Sequence, residues 1–249
     1  LDRFCGVDVA TDPATNIDGW SALNSARGAF DIRWWIHKPR KLKSILEQMQ
    51  FEGCFIFRFK QGDFDQPQYI HIADSPSTIL TLTKEDIGSI SIRSSSPSHI
   101  VTKRDISYDV HPAKGTYQSA VTATNSATRK NYNIPVKENI EQTDLDMLVD
   151  AIGDTDPTND DRNDSFAGYY NALFGDVYLM VNCTIVNPGK WVDASLNPIE
   201  VGSIIEFDEN NMHPDTPMGF NSDDWDGLKF IITDTVRSPG KLSIKARSV

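Results

Sequence analysis

Long apolar runs, basic charge and cysteine are what this chain of 249 residues has least of. No stretch approaches the ~20 apolar residues that a membrane-spanning helix needs. The first residues, LDRFCGVDVATDP, carry no basic-then-apolar leader, so no membrane partner is expected. The chain begins without Met and ends on a strand-like KLSIKARSV, which fits a piece of a longer protein. Cys5, Cys54 and Cys183 are too scattered for a disulfide framework or a CxxC-type zinc site and read as buried free thiols. None of His37, His71, His99, His111 and His213 stands in HExxH or another paired ligand spacing, and there is neither a GxSxG elbow nor a Walker loop. On these grounds the chain is not read as an enzyme, and no catalytic, cofactor-binding or metal-binding residue is assigned.

Charge is unevenly placed. The formal net charge is -11, and nine acids against Arg162 alone lie between Glu141 and Asp164, with seven more and no Lys or Arg between Glu206 and Asp226. From Arg33 to Lys60, by contrast, seven bases face only Glu47 and Glu52. A duplex-reading protein presents a basic face, so sequence-specific nucleic-acid binding is not expected, whereas an acidic wall lets DNA slide past without sticking. The run Asp154 to Asp161 is the one stretch with metal-like chemistry; it lacks the sixth-position Gly and twelfth-position Glu of an EF-hand and reads as a solvated acidic loop. Its DxD triplet, Asp154-Thr155-Asp156, has no nucleotide-binding βαβ unit before it.

What is present is mostly strand. In Ser98 to Asn131, Ile106, Tyr108 and Val110 alternate with Asp105, Ser107 and Asp109, Pro112 and Gly115 mark a reversal, and Tyr117, Val121 and Ala123 share one side of the return strand. Before it, Leu42, Ile45, Leu46 and Met49 predict a helix closed by Gly53, followed by a hairpin from Cys54 to Ala73 with Phe55, Phe57 and Phe59 on one face. Short strands are expected at 79–83 and 89–93, and the Ser94 to Ser98 run as a linker. Thr143 is expected to cap a helix carrying Leu145, Leu148, Val149 and Ile152, and Asp164 or Ser165 a second one carrying Phe166, Tyr169, Tyr170, Leu173 and Phe174. Strands at 177–186, 203–207, 228–236 and 241–248 close the chain. The fold expected is α+β: a small α/β domain of helix and strands over 1–97, then an antiparallel β-barrel-like domain with two helices over 98–249.

In order, the strand pair around Tyr108 and Gly115-Thr116-Tyr117, the helices at 144–174, and the closing VGSIIEF with LKFIITDTVRSPGKLSIKARSV resemble the tail hub and tail-tip (baseplate hub) proteins of tailed bacteriophages. The resemblance covers Ser98 to Val249, and the helix-hairpin before it resembles the insertion such hubs carry. It implies a homotrimeric ring in the virion that joins tail tube to tail-tip proteins and lets DNA pass as cargo. Tyr108 and Tyr117 read equally as inter-subunit packing and as core packing within one subunit. A break in the helices at Gly153 to Asp164 departs from that family. Two rivals remain: a carbohydrate-binding or adhesin domain using Trp34, Trp35, Trp191 and Trp225, and a hydrolase with two acids across a cleft.

Overall fold

A computed structural model describes residues 19–27, 39–60, 63–73, 76–135, 137, 139–146, 165–208 and 228–249. The strand expected at 31–37, the acidic loop 154–164 and Leu148, Val149 and Ile152 lie outside the described residues. The chain is α+β and divides into two compact units, each discontinuous: one takes Leu1–Asp74 and Pro97–Asp176, the other Ser75–Ser96 and Val177–Val249. The boundary expected at 97 falls on a crossing between them. The blocks 1–97 and 98–249 are nevertheless not the units, because strands before residue 97 hydrogen-bond with strands after residue 177.

In the first unit, helices α1 (Trp20–Arg27) and α2 (Leu42–Glu52) accompany the antiparallel hairpin β1 (Ile56–Lys60) and β2 (Asp63–Ile70). Tyr69 meets Trp20, Phe55 and Phe57 with ring centroids 5.2–5.4 Å apart. Gly19, at φ 78°, is required there: a Cβ would come within 1.9 Å of the Tyr69 carbonyl oxygen. The stripe expected to be the buried face of α2 is not: Leu42 and Met49 are exposed, and the buried side chain is Glu52. Its carboxylate is held by Gln48 Nε2 at 2.5 Å and the Asp146 amide at 3.4 Å, so hydrogen bonding overrides apolar periodicity at this end of the helix.

A three-stranded sheet in the order β6-β5-β7 completes the strands of this unit, from β5 (Lys103–Val110), β6 (Tyr117–Thr124) and β7 (Ile140–Asp144). β5 and β6 form the expected hairpin, Ile106 opposite Val121. Its turn is fastened by His111, whose Nδ1 accepts from the amides of Ala113 and Lys114 and whose backbone amide donates to Thr116. Asn125 caps the short helix α3 (Ser126–Asn131). Thr143 is no helix cap; it lies in β7, paired parallel with Ile106, because the backbone groups of 140–144 find partners on β5. Helix α4 (Phe166–Phe174) starts as expected, Ser165 Oγ accepting from the Gly168 amide at 2.8 Å. Ser165→Ala is expected to cost about 1 kcal/mol, read as a shift in urea midpoint.

The second unit is a six-stranded sheet, β3-β9-β10-β11-β8-β4, built from β3 (Leu80–Leu82), β4 (Ile87–Ser94), β8 (Leu179–Ile185), β9 (Ile204–Phe207), β10 (Lys229–Ser238) and β11 (Lys241–Ser248). All its pairings are antiparallel except β3 with β9. The two edges, β3 and β4, are consecutive in the chain. Flat, six strands would hold them about 24 Å apart. The link from Leu82 to Ile87 reaches at most about 18 Å, so the sheet must curl.

One apolar cluster fills the curl with alternate residues of all six strands, including Leu82, Ile92, Val181, Ile205, Phe230 and Ile244. Asp86 fastens the link between the edges, accepting from the Thr83 amide, Thr83 Oγ1 and Asn187 Nδ2. The closing hairpin turns on Pro239-Gly240, with Gly240 at φ 75°. The barrel-like form was expected; of the two helices expected alongside it in 98–249, α4 forms and belongs to the first unit.

Candidate assembly surface and polar core

Along β5 the inward positions are Arg104, Ile106 and Tyr108, all buried, so Tyr108 is core. Opposite, β6 reads YQSAVTAT: eight residues, no charge and no proline, with Tyr117 41% and Val121 37% exposed. Among the described residues no strand lies beside its far edge. Every other described edge strand carries a guard that discourages strand addition: β3 is three residues long, β4 has Arg93, β7 has Glu141 and Asp144, β1 has Arg58, and β2 has aspartates and Pro67. Tyr117 titrates above its usual range, first because it is partly desolvated and then because Asp144 and Asp146 lie near it.

Behind β5 lies a polar core that the sequence did not reveal. Arg104 is 4% exposed and its Nη1 meets Glu141 Oε2 at 2.6 Å, while its guanidinium stands 5.2 Å from the Tyr170 ring centroid. Arg27 stands over the Tyr169 ring in the same way, also at 5.2 Å. Tyr170 in turn donates to the Phe51 carbonyl at 3.0 Å and stacks among Phe51, Phe166 and Phe174. Among the described residues Nη2 of Arg104 has no hydrogen-bond partner, so the ring face is a main stabiliser of its buried charge. Cys54, fully buried, is pushed up to about 12 by desolvation, against the pull of Arg27 and Arg104. A thiol so protonated is inert as a nucleophile. The arrangement locks helices to sheet.

The other residues singled out in the sequence do not converge. His71 stacks on Tyr169 in the first unit, His111 serves its turn, and His99 ends a single helical turn at 97–99. Cys183 lies in β8, buried, its thiol also raised to about 12 by desolvation. Trp191 is half-buried against the second unit's core and donates to the Ile185 carbonyl at 3.2 Å, which leaves little of its face for stacking on a sugar. Cys5, His37, His213, Trp34, Trp35 and Trp225 lie outside the described residues. Among the described residues no group of three His, Cys, Asp or Glu is placed to hold a metal ion, and no helix is long and apolar enough to cross a membrane.

No family model matches this chain, and no curated protein matches it by sequence. Solved structures do resemble it. The 43 kDa tail protein of prophage MuSo2 from Shewanella oneidensis is 9% identical, covers 87% of this chain and 56% of its own, and has a TM-score of 0.45. Prophage tail protein gp18 from Listeria monocytogenes EGD-e gives 10%, 87%, 55% and 0.44. The tail protein from Neisseria meningitidis MC58 gives 7%, 94%, 67% and 0.45. The chain thus spans little more than half the length of the first two. All three bear the name tail protein.

Proposed function

We propose that this chain is a structural subunit of a bacteriophage tail, a hub or baseplate component located at the tail tip of the virion, whose work is assembly rather than chemistry. The observation that carries this reading is β6, a long, uncharged, proline-free edge with Tyr117 and Val121 half-exposed. Such an edge is a template for a further strand, and proteins that stay monomeric guard against it. The occupant is a second copy of this chain, arranged as a homotrimeric ring that joins tail tube to tail tip. The net charge of -11 suits a lumen through which DNA passes without adhering.

Sedimentation velocity tests this. A species of three times the 27.8 kDa chain mass is expected at micromolar concentration. Val121→Lys, which places a charge on the β6 edge, is expected to return it to monomer with stability changed by no more than about 0.5 kcal/mol. A wild-type chain that stays monomeric at every concentration would refute the reading.

A further inference from the structure

Thr102 and Arg104 bring two buried polar atoms to one place at the start of β5. They stand two residues apart along an extended chain, so their side chains share a face, and both are buried, Thr102 to 1% exposure and Arg104 to 4%. Backbone bonds fix Thr102 from both sides. Its amide donates to the Asn139 carbonyl at 3.1 Å, and its carbonyl accepts from the Asn125 amide at 2.9 Å. Among the described residues neither Thr102 Oγ1 nor Arg104 Nη2 has a hydrogen-bond partner. Buried polar atoms in that condition are costly, and folded proteins satisfy nearly all of them, with ordered water where no protein group reaches.

Both residues line one small cavity between the β5–β6 hairpin and α4, together with Ala123, Asn125, Ala167 and Asn171. Its volume is about 10 Å³, the room of a single water molecule and of nothing larger. Ala123, opposite Arg104 in the strand register, and Ala167 on α4 are short enough to leave that room. The amides on its wall are already tied: Asn125 Nδ2 donates to Asn171 Oδ1 at 3.1 Å, and Asn125 Oδ1 accepts from the Thr128 amide at 3.0 Å. Charge narrows the chemistry of an occupant. The guanidinium repels a cation, and Glu141 balances it at 2.6 Å, so an anion would be buried without a counter-charge of its own. A neutral group that accepts from Nη2 and donates to Oγ1 meets every condition.

We propose that this cavity binds one ordered water, which accepts a hydrogen bond from Arg104 Nη2 and donates one to Thr102 Oγ1. With it the guanidinium is satisfied on each side: Nη1 by Glu141, the ring face by Tyr170, and Nη2 by the water. The site belongs to the folded chain itself and stands whether or not copies of the chain associate.

Crystals of the 249-residue chain grown in sodium bromide test this directly. One peak of water height is expected within about 3.2 Å of both atoms, with no bromine anomalous signal. A bromine signal there would make the ligand an anion, and the lack of any peak would mean that nothing binds; either result overturns the proposal. Thr102→Val, which removes the hydroxyl and keeps the shape of the side chain, gives a sign to read in solution. With Oγ1 bonded to the water, the variant loses that bond and its melting temperature is expected to fall by about 2–4 °C. A melting temperature that holds or rises would show that valine removed a hydroxyl with no bond to lose, and the bridge would be refuted.

Discussion

Glu141→Ala is expected to lower the free energy of unfolding by about 3–5 kcal/mol, far more than a half-exposed glutamate normally contributes. The reason is its partner. Arg104 is 4% exposed, and among the described residues Glu141 is the only carboxylate in hydrogen-bond contact with it. Burial alone already disfavours the Arg104 charge, drawing its titration down, and Glu141 is the first of the groups that oppose this. Removing Glu141 leaves a buried cation against the Tyr170 ring without its carboxylate. The reverse substitution, Arg104→Met, releases Glu141, whose side chain is 39% exposed, into water, and the expected loss is roughly 1–2 kcal/mol. Urea unfolding followed by aromatic fluorescence checks both. Equal losses from the two variants would mean that the cost lies in lost packing and not in a stranded charge.

The second large effect is alkaline. Burial pushes the Cys54 and Cys183 thiols from 9.0 to about 12. Below pH 9 folded and unfolded chains both hold these protons, and the thiols add no pH dependence. Between 9 and about 12 the unfolded chain releases them while the folded chain retains them, so folding binds protons and stability falls as pH rises. The slope is about 1.4 kcal/mol per pH unit for each thiol. Tyr69 and Tyr170, raised by burial, act in the same direction above pH 10. The urea midpoint is therefore expected to hold up to pH 8.5 and drop steeply from 9 to 10.5. In Cys54→Ala/Cys183→Ala the drop should be shallower by the thiols' share, and identical slopes would show that the thiols are not the source.

Much of this fold is legible because its signals are local. Leu242, Ile244 and Ala246 alternate with polar neighbours in β11 and are buried as the alternation says, and Ser165 caps α4 as its place before an aromatic run says. What escaped reading is set by partners distant in sequence. Thr143 before Leu145 is a sound local helix start, yet the segment pairs in parallel with β5, more than thirty residues earlier, and nothing within 140–145 names that strand. Arg104 occupies the inward parity of β5 with Ile106 and Tyr108, a sign that could have marked it as buried; its placement also needs Tyr170 and Glu141. The outward turn of Val236, 55% exposed, could not be foreseen, since alternation carries no mark for a bulge at Thr233. Of the two tyrosines read as either interface or core, Tyr108 is core and Tyr117 is exposed, because alternation fixes which face a residue shares but not which end of that face is covered.

The order in which the curled sheet acquires its strands bears on how the protein is made. β3 and β4 are synthesised first, yet they are bonded to β9 and β8, and all of 97–176 must be translated before either partner exists. Until then Leu80, Leu82, Ile90 and Ile92 have no core to enter, so the nascent chain carries two sticky ribbons through that interval. Slowing translation or lowering the growth temperature should therefore act on soluble yield through this segment, ahead of any effect on the finished molecule.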